Sequence, residues 1–265
     1  MTDKKITVHF MALTFFIAYF ISGVLIVFGQ FGYRVYSWVN TLQQFGMDIP
    51  FAVYILSPAI ASFIVLNKNN KVANFREWLK NIFYAKNSGY PYLFVVAGIV
   101  LYFSIHTIVL GRIEMELPFY MLFLSIPGNF FIGGLEEAGW TYIMQPEFDK
   151  KFGYVLSCIF SGLIWILWHI PLFFIPGTNH GEGLINFWMF AVQCIAFRFF
   201  FGAIYKISGK SCVFMCVLFH TIYNAAFSIF GTVTTTWVGT IAANTVLVFV
   251  SIITVMIHNK NKHIM

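Results

Sequence analysis

Acid is scarce in this sequence. Asp and Glu together number ten in 265 residues, and all charged residues make up 10% of the chain. A soluble domain carries about a quarter of its residues as charges, so a water-soluble globule is excluded. Hydrophobic residues reach 59% and the mean hydropathy is +0.79. Cysteine is scarce too, with four residues (Cys158, Cys194, Cys212, Cys216), all in apolar stretches. No disulfide framework or paired C-x-x-C is present, so the cysteines read as small packing residues. Cys212, Cys216, His220 and Asn224 share one i, i+4 stripe, which leaves thiolate ligation of a metal as the alternative to close helix packing. Internal repeats and low-complexity tracts are missing, and with them the inverted repeats of many transporters. The net charge of +6 does not point to nucleic acid. In a membrane protein, excess Lys and Arg marks cytoplasmic loops.

What is present is a series of long apolar runs. The first, 8–30, is too long for a signal-peptide core and lacks a small-residue cleavage site. Further runs cover 50–66, 92–110, 119–144, 153–175, 184–207, 211–230 and 232–257. The expectation is an all-α polytopic membrane protein of about eight transmembrane helices, forming one membrane domain over 1–265. The 33 phenylalanines suit a lipid-facing surface. Between the second and third runs, Phe75, Trp78, Leu79, Ile82 and Phe83 recur at helical spacing among Lys68, Lys71, Arg76, Lys80 and Lys86. This segment reads as a helix lying in the membrane interface, or as an ordinary basic loop. With both termini cytoplasmic, the inner segments also hold Lys4, Lys5, Lys150, Lys151, Lys206, Lys210, Lys260 and Lys262. The outer loops hold only Arg34 and Arg112, as the positive-inside rule requires. Arg198 alone is left within a span.

The acids sort as cleanly. Asp3, Asp48, Glu77, Glu114, Glu116, Glu147, Asp149 and Glu182 fall in loops or at span ends. Glu136 and Glu137 remain inside, and an intramembrane ionisable residue is a functional-site hypothesis by default. Of the histidines, His9, His180, His258 and His263 are terminal or external. His106, His169 and His220 lie within spans. His106 has no polar partner in its segment and reads as structural. Asn224 follows His220 by one turn, on the same helical face.

These groups supply the parts of a hydrolytic site. A carboxylate in a dry pocket can take a proton from water near neutral pH and later return it. A histidine can orient that water. A His and an Asn four residues apart can aim donors at one point, as an oxyanion hole requires. Glu136, His169 and His220 are equally a set that could hold zinc with one position open to water. The plainer readings are an ion-paired glutamate pair, an interfacial His169 beside Trp168, and His220 and Asn224 as interhelical hydrogen-bond glue. Gly133 and Gly134 read as permitting close helix approach, and Gly139 as loosening the helix beside Trp140.

Three motifs in order carry a resemblance: Glu136-Glu137-Ala138-Gly139-Trp140, Trp168-His169-Ile170-Pro171 and His220-Thr221-Ile222-Tyr223-Asn224. They resemble the CAAX-protease and bacteriocin-processing enzymes, also called Abi or type II CAAX prenyl endopeptidases, whose pattern is E-E-x-x-x-R, F-x-x-x-H and H-x-x-x-N in an eight-helix membrane protein. The stretch 205–211 also resembles the usual lead-in to the last motif. The likeness covers about 117–228. It implies an intramembrane endopeptidase, with Glu136 as general base on the catalytic water and His169 as its partner. His220 and Asn224 would stabilise the oxyanion, and Glu137 would be an accessory carboxylate. It leaves a metal-free glutamate mechanism and a zinc mechanism both open. Two positions depart from the pattern. Trp165 stands where Phe is commoner, and Thr141 stands where the family has Arg. The missing arginine removes a fixed charge one turn from Glu137, and an unpaired buried carboxylate tends to protonate. Arg198 is the candidate to supply that charge from another helix.

The expected function is cleavage of a peptide bond near a membrane, in a multi-pass protein of the cell membrane, bacterial by its general character. Peptides or membrane-anchored proteins would be the substrates. A weak or inactive member serving in bacteriocin immunity or peptide binding is the alternative. A proton-relaying transporter is the third reading. One geometric tension remains. Counting about 1.5 Å per residue, Glu136 lies past the middle of its descending span and His169 late in its ascending one. They meet only if a helix tilts, breaks or starts elsewhere.

Overall fold

The computed structural model describes residues 3–36, 38–86 and 88–262; His263 lies outside them. Among the described residues there are helices and turns and no strand. Helix α1 (Asp3–Gly29) crosses first. Helices α2 (Leu42–Ile55) and α3 (Ser57–Lys68) meet at Leu56 with a bend of 58°. Pro58, in the first turn of α3, has no N–H to continue the ladder from α2, which is where a bend costs least. The second run therefore begins earlier than its hydropathy indicates. Thr41 caps α2 by accepting from the Gln44 N–H, and that cap draws polar residues into the helix.

Helix α4 (Phe75–Ile82) settles the two readings of the basic segment in favour of a helix. Asn74 accepts from Glu77 N–H, and Glu77 reaches back to the Ala73 N–H at 2.6 Å, a reciprocal cap. Trp78 is buried and donates to Ser62 on α3 at 3.1 Å.

Helix α5 (Gly89–Leu110) is followed by α6 (Met121–Phe131), which buries none of its residues. After α6 the chain breaks at Ile132 and Gly133. A 3₁₀ turn (Gly134–Glu136), a single α turn, α7 (Glu137–Gly139), and a π turn (Trp140–Met144) follow. Helix α8 (Gln145–His169) then runs on, interrupted only at Gly153, whose φ of 73° is non-helical. The fourth span thus does not end at Met144 but continues to Gly153. Pro146 cannot donate to the carbonyl four residues back, and the π turn just before it accommodates that loss.

Among the described residues, six helical stretches are long and apolar enough to cross a membrane, or seven with the bent α2–α3 pair. One of them, Met121–Phe174, has 54 residues, about 80 Å if straight against a hydrocarbon core of about 30 Å. It doubles back at Gly153: Gln145 bonds Ser157 at 3.2 Å across that glycine. Its two arms count as separate passes, in line with about eight.

Helices α9 (Phe187–Ile207), α10 (Cys212–Phe230) and α11 (Trp237–Lys262) complete the bundle. Residues 196–204 of α9 are all buried, so this half of α9 is surrounded on every side, while Trp188 and Val192 near its start are exposed. Phe200 stacks on Phe94 at 4.6 Å, in space that Gly98 of α5 leaves open. Phenylalanine therefore fills the centre as well as facing lipid; Phe16, Phe20 and Phe249 are examples of the outer kind. His106 is buried against the Tyr102 ring.

Candidate functional site

The break after α6 sets the site. Gly133 has φ 128°, a conformation glycine adopts at no steric cost. A Cβ at Gly133 would strike the Asn224 amide, and one at Gly134 would strike the Thr221 hydroxyl. Two bare backbone positions thus press the glutamate turn onto α10. Gly139 does the same on the other side, against Pro58 and Phe10.

Glu136 and Glu137 are both buried, and their surroundings differ. Glu136 accepts one bond, from the Trp165 indole at 2.9 Å. Glu137 is enclosed by donors. Thr141 donates to its Oε2 at 2.5 Å and Arg198 Nη1 stands 3.0 Å from the same oxygen. The Nδ1 of His220 lies 3.4 Å from the other oxygen, Oε1. Arg198 is wholly buried, as is Glu137. The structure therefore brings Arg198 to Glu137, while Thr141, at the position of the missing arginine, still faces the same carboxylate.

The Trp165 indole lies edge-on to both imidazoles, 5.0 Å from His169 and 5.6 Å from His220 between ring centres. His169 Nδ1 is 2.8 Å from the Trp165 carbonyl. A carbonyl only accepts, so Nδ1 carries the hydrogen and Nε2 is left to act as an acceptor. In His220, Nδ1 faces Glu137 and Nε2 faces the Gly133 turn and Asn224. Glu136, Glu137, His220, Asn224 and Arg198 thus gather around one turn, while His169 stands one ring away, across Trp165.

The zinc set does not assemble. Among the described residues, no three His, Cys, Asp or Glu side chains stand together as metal ligands. His169 has one ring nitrogen committed to a carbonyl, and Trp165 sits between it and the other candidates. Cys216 directs its thiol to the Phe201 carbonyl at 3.5 Å, which is a packing contact.

Three contributors were not among the expected site residues. Trp165, in sequence a departure from the commoner Phe, sends its N–H to Glu136. Gln145 binds the second nitrogen of Arg198 at 3.1 Å. His180, expected to be external, folds back so that its ring lies 6.3 Å from His169 and 5.0 Å from Phe190. Its loop is strapped down by Val35 N–H to Pro176 O at 3.0 Å and by the Arg34–Glu182 ion pair at 2.9 Å. Hydropathy registers loop length, not whether a loop packs back.

Fold and site define a class: a multi-pass helical membrane protein with an acid–imidazole cluster buried inside the bundle. Residues 116–226 match the family model described as type II CAAX prenyl endopeptidase Rce1-like. Over that stretch, somewhat under half of its length, the chain is similar to the CAAX-protease family. No curated protein matches the chain.

Proposed function

We propose that this protein is an intramembrane endopeptidase that hydrolyses a peptide bond by a glutamate-activated water, with its working core in about 117–228. One observation supports the reading above others: the first and third motifs, far apart in sequence, meet where the chain breaks at Gly133, and the second borders them through Trp165, with His169 one ring further out. Glu136, held by a single donor, keeps an oxygen free to accept a proton from water. His169, with Nε2 open as an acceptor, orients that water. As charge develops on the scissile carbonyl oxygen, the Asn224 amide and His220 Nε2, carrying a proton, act as donors from one face of α10. Glu137 Oε1 faces His220 Nδ1 at 3.4 Å, placed to close on that nitrogen when the imidazole carries both protons, as a carboxylate orients a catalytic imidazole. A peptide or a membrane-anchored protein, reached from the bilayer of a cell membrane, is the substrate class this site suits.

The test is cleavage of candidate peptides by purified wild type, Glu136→Gln and His169→Ala. The expected result is turnover by wild type alone, with all three eluting as folded protein. Cleavage retained in both variants would reject the mechanism. Thr141 in place of the family arginine favours a second reading, a weak or inactive member that binds peptides or confers immunity. Protection of cells without any cleavage is the outcome that would support it.

A further inference from the structure

Glu137 is the end of a longer chain of contacts. Arg198 Nη1 meets Glu137 at 3.0 Å and Nη2 meets Gln145 Oε1 at 3.1 Å. The Gln145 amide nitrogen donates to Asp149 at 2.9 Å and to Ser157 at 3.2 Å. The second Asp149 oxygen pairs with Lys206 at 2.6 Å. The participants follow a common spacing. Glu137, Thr141, Gln145 and Asp149 are four residues apart on one arm of the helical hairpin. Arg198, Gly202 and Lys206 are four apart on α9. Gly202 lies where the Gln145 side chain crosses, and a Cβ there would stand 3.5 Å from its amide nitrogen and 2.9 Å from Tyr154. Exposure rises along the chain: Arg198 and Glu137 are fully buried, while the Lys206 side chain is 28% exposed.

From this we infer that Gln145 is a positioning residue for the glutamate site. It fixes Arg198 against Glu137, and it is itself fixed by Asp149 and Ser157, with Lys206 pairing Asp149 from behind. An amide is suited to this place because it accepts on one side and donates on the other. With its oxygen on the guanidinium, its NH₂ must face Asp149 and Ser157. A guanidinium in an apolar bundle has many donors to satisfy and several rotamers; a rigid second acceptor selects the one that meets Glu137. The ladder does from a second helix what an arginine at 141 does within the motif. The ladder is a reading of contacts; only its effect on turnover rests on the proteolytic reading.

The test does not need a substrate. Dicyclohexylcarbodiimide attacks protonated carboxyls in apolar surroundings, and peptide mass spectrometry separates Glu137 from Glu136. In full-length protein in detergent, Glu137 of wild type should label little. Arg198→Met should raise its labelling strongly, and Gln145→Met should raise it several-fold although Gln145 touches neither glutamate. Thr141→Arg added to Gln145→Met should return labelling toward wild type, which a general loosening of the fold would not. Lys206→Met, at the exposed end where folding is spared, should give a smaller rise. Glu137 labelling unchanged in Gln145→Met, or a rise that Thr141→Arg does not reverse, overturns the inference. If wild type cleaves a peptide, the same order should appear in kcat; if it cleaves nothing, the labelling result stands alone.

Discussion

Trp165 donates its indole N–H to Glu136 at 2.9 Å, a bond for which the phenylalanine commoner at this position has no atom. The departure from the family pattern therefore has a chemical consequence. Trp165→Phe keeps an aromatic ring between the two imidazoles and removes only the donor. Leaving a buried acceptor unpaired costs about 1–3 kcal/mol. The expected outcome is a lower melting temperature in detergent and slower cleavage, both partial. An unchanged melt together with unchanged cleavage would show that the bond has no role.

The Glu137–Arg198 pair should behave as a buried ion pair. Removing one partner strands the other charge, at a cost of about 3–5 kcal/mol. Arg198→Met should therefore destabilise strongly in chemical unfolding. Glu137→Gln combined with Arg198→Met should recover part of that loss, since neither charge is then stranded. A double variant as unstable as the sum of the singles would contradict the pairing.

Close approach at Gly134 makes a compensating pair available. A methyl group there meets the Thr221 hydroxyl, and overpacking of this kind costs about 1–3 kcal/mol. Gly134→Ala should lower the melting temperature. Thr221→Ala in the same chain removes the obstructing oxygen and should restore some of it, read in the same thermal assay.

Chelators should leave cleavage unaffected. Glu136, His169 and His220 do not converge on one point, and Cys216 is turned to a carbonyl. Metal analysis of active protein finding a stoichiometric ion, lost together with activity, would show that the side chains rearrange to hold it.

Much of this architecture was legible in the sequence because a membrane penalises charge. Every acid outside the site could be assigned to an end or a loop, which left Glu136 and Glu137, and the same bookkeeping left Arg198 as the one basic residue without a place. What could not be read was where helices fail to obey hydropathy. The span expected to stop at Met144 continues to Gly153, because a π turn absorbs Pro146. The polar stretch between the first two apolar runs turns helical at Leu42, because a threonine cap outweighs polarity. His180 looked external because its loop is polar and glycine-rich, though Thr178 and Glu182 fold that loop back on itself and Arg34 holds it down. The ladder through Gln145 was visible as two rows of four-residue spacing, but nothing in one sequence says that two such rows face each other.

The turn at Gly153 also resolves the question of depth. Glu136 precedes it by 17 residues and His169 follows it by 16, so these two sit about 25 Å from the turn, with Trp165 one helical turn short of His169 on the second arm. They are the tips of one pair of tweezers with matched arms. Inserting a single residue into one arm would turn its tip by about 100° and slide it by about 1.5 Å, withdrawing Trp165 from Glu136. The number of residues separating the first two motifs is thus a gauge length, and a relative that gains a residue in one arm should gain or lose one in the other.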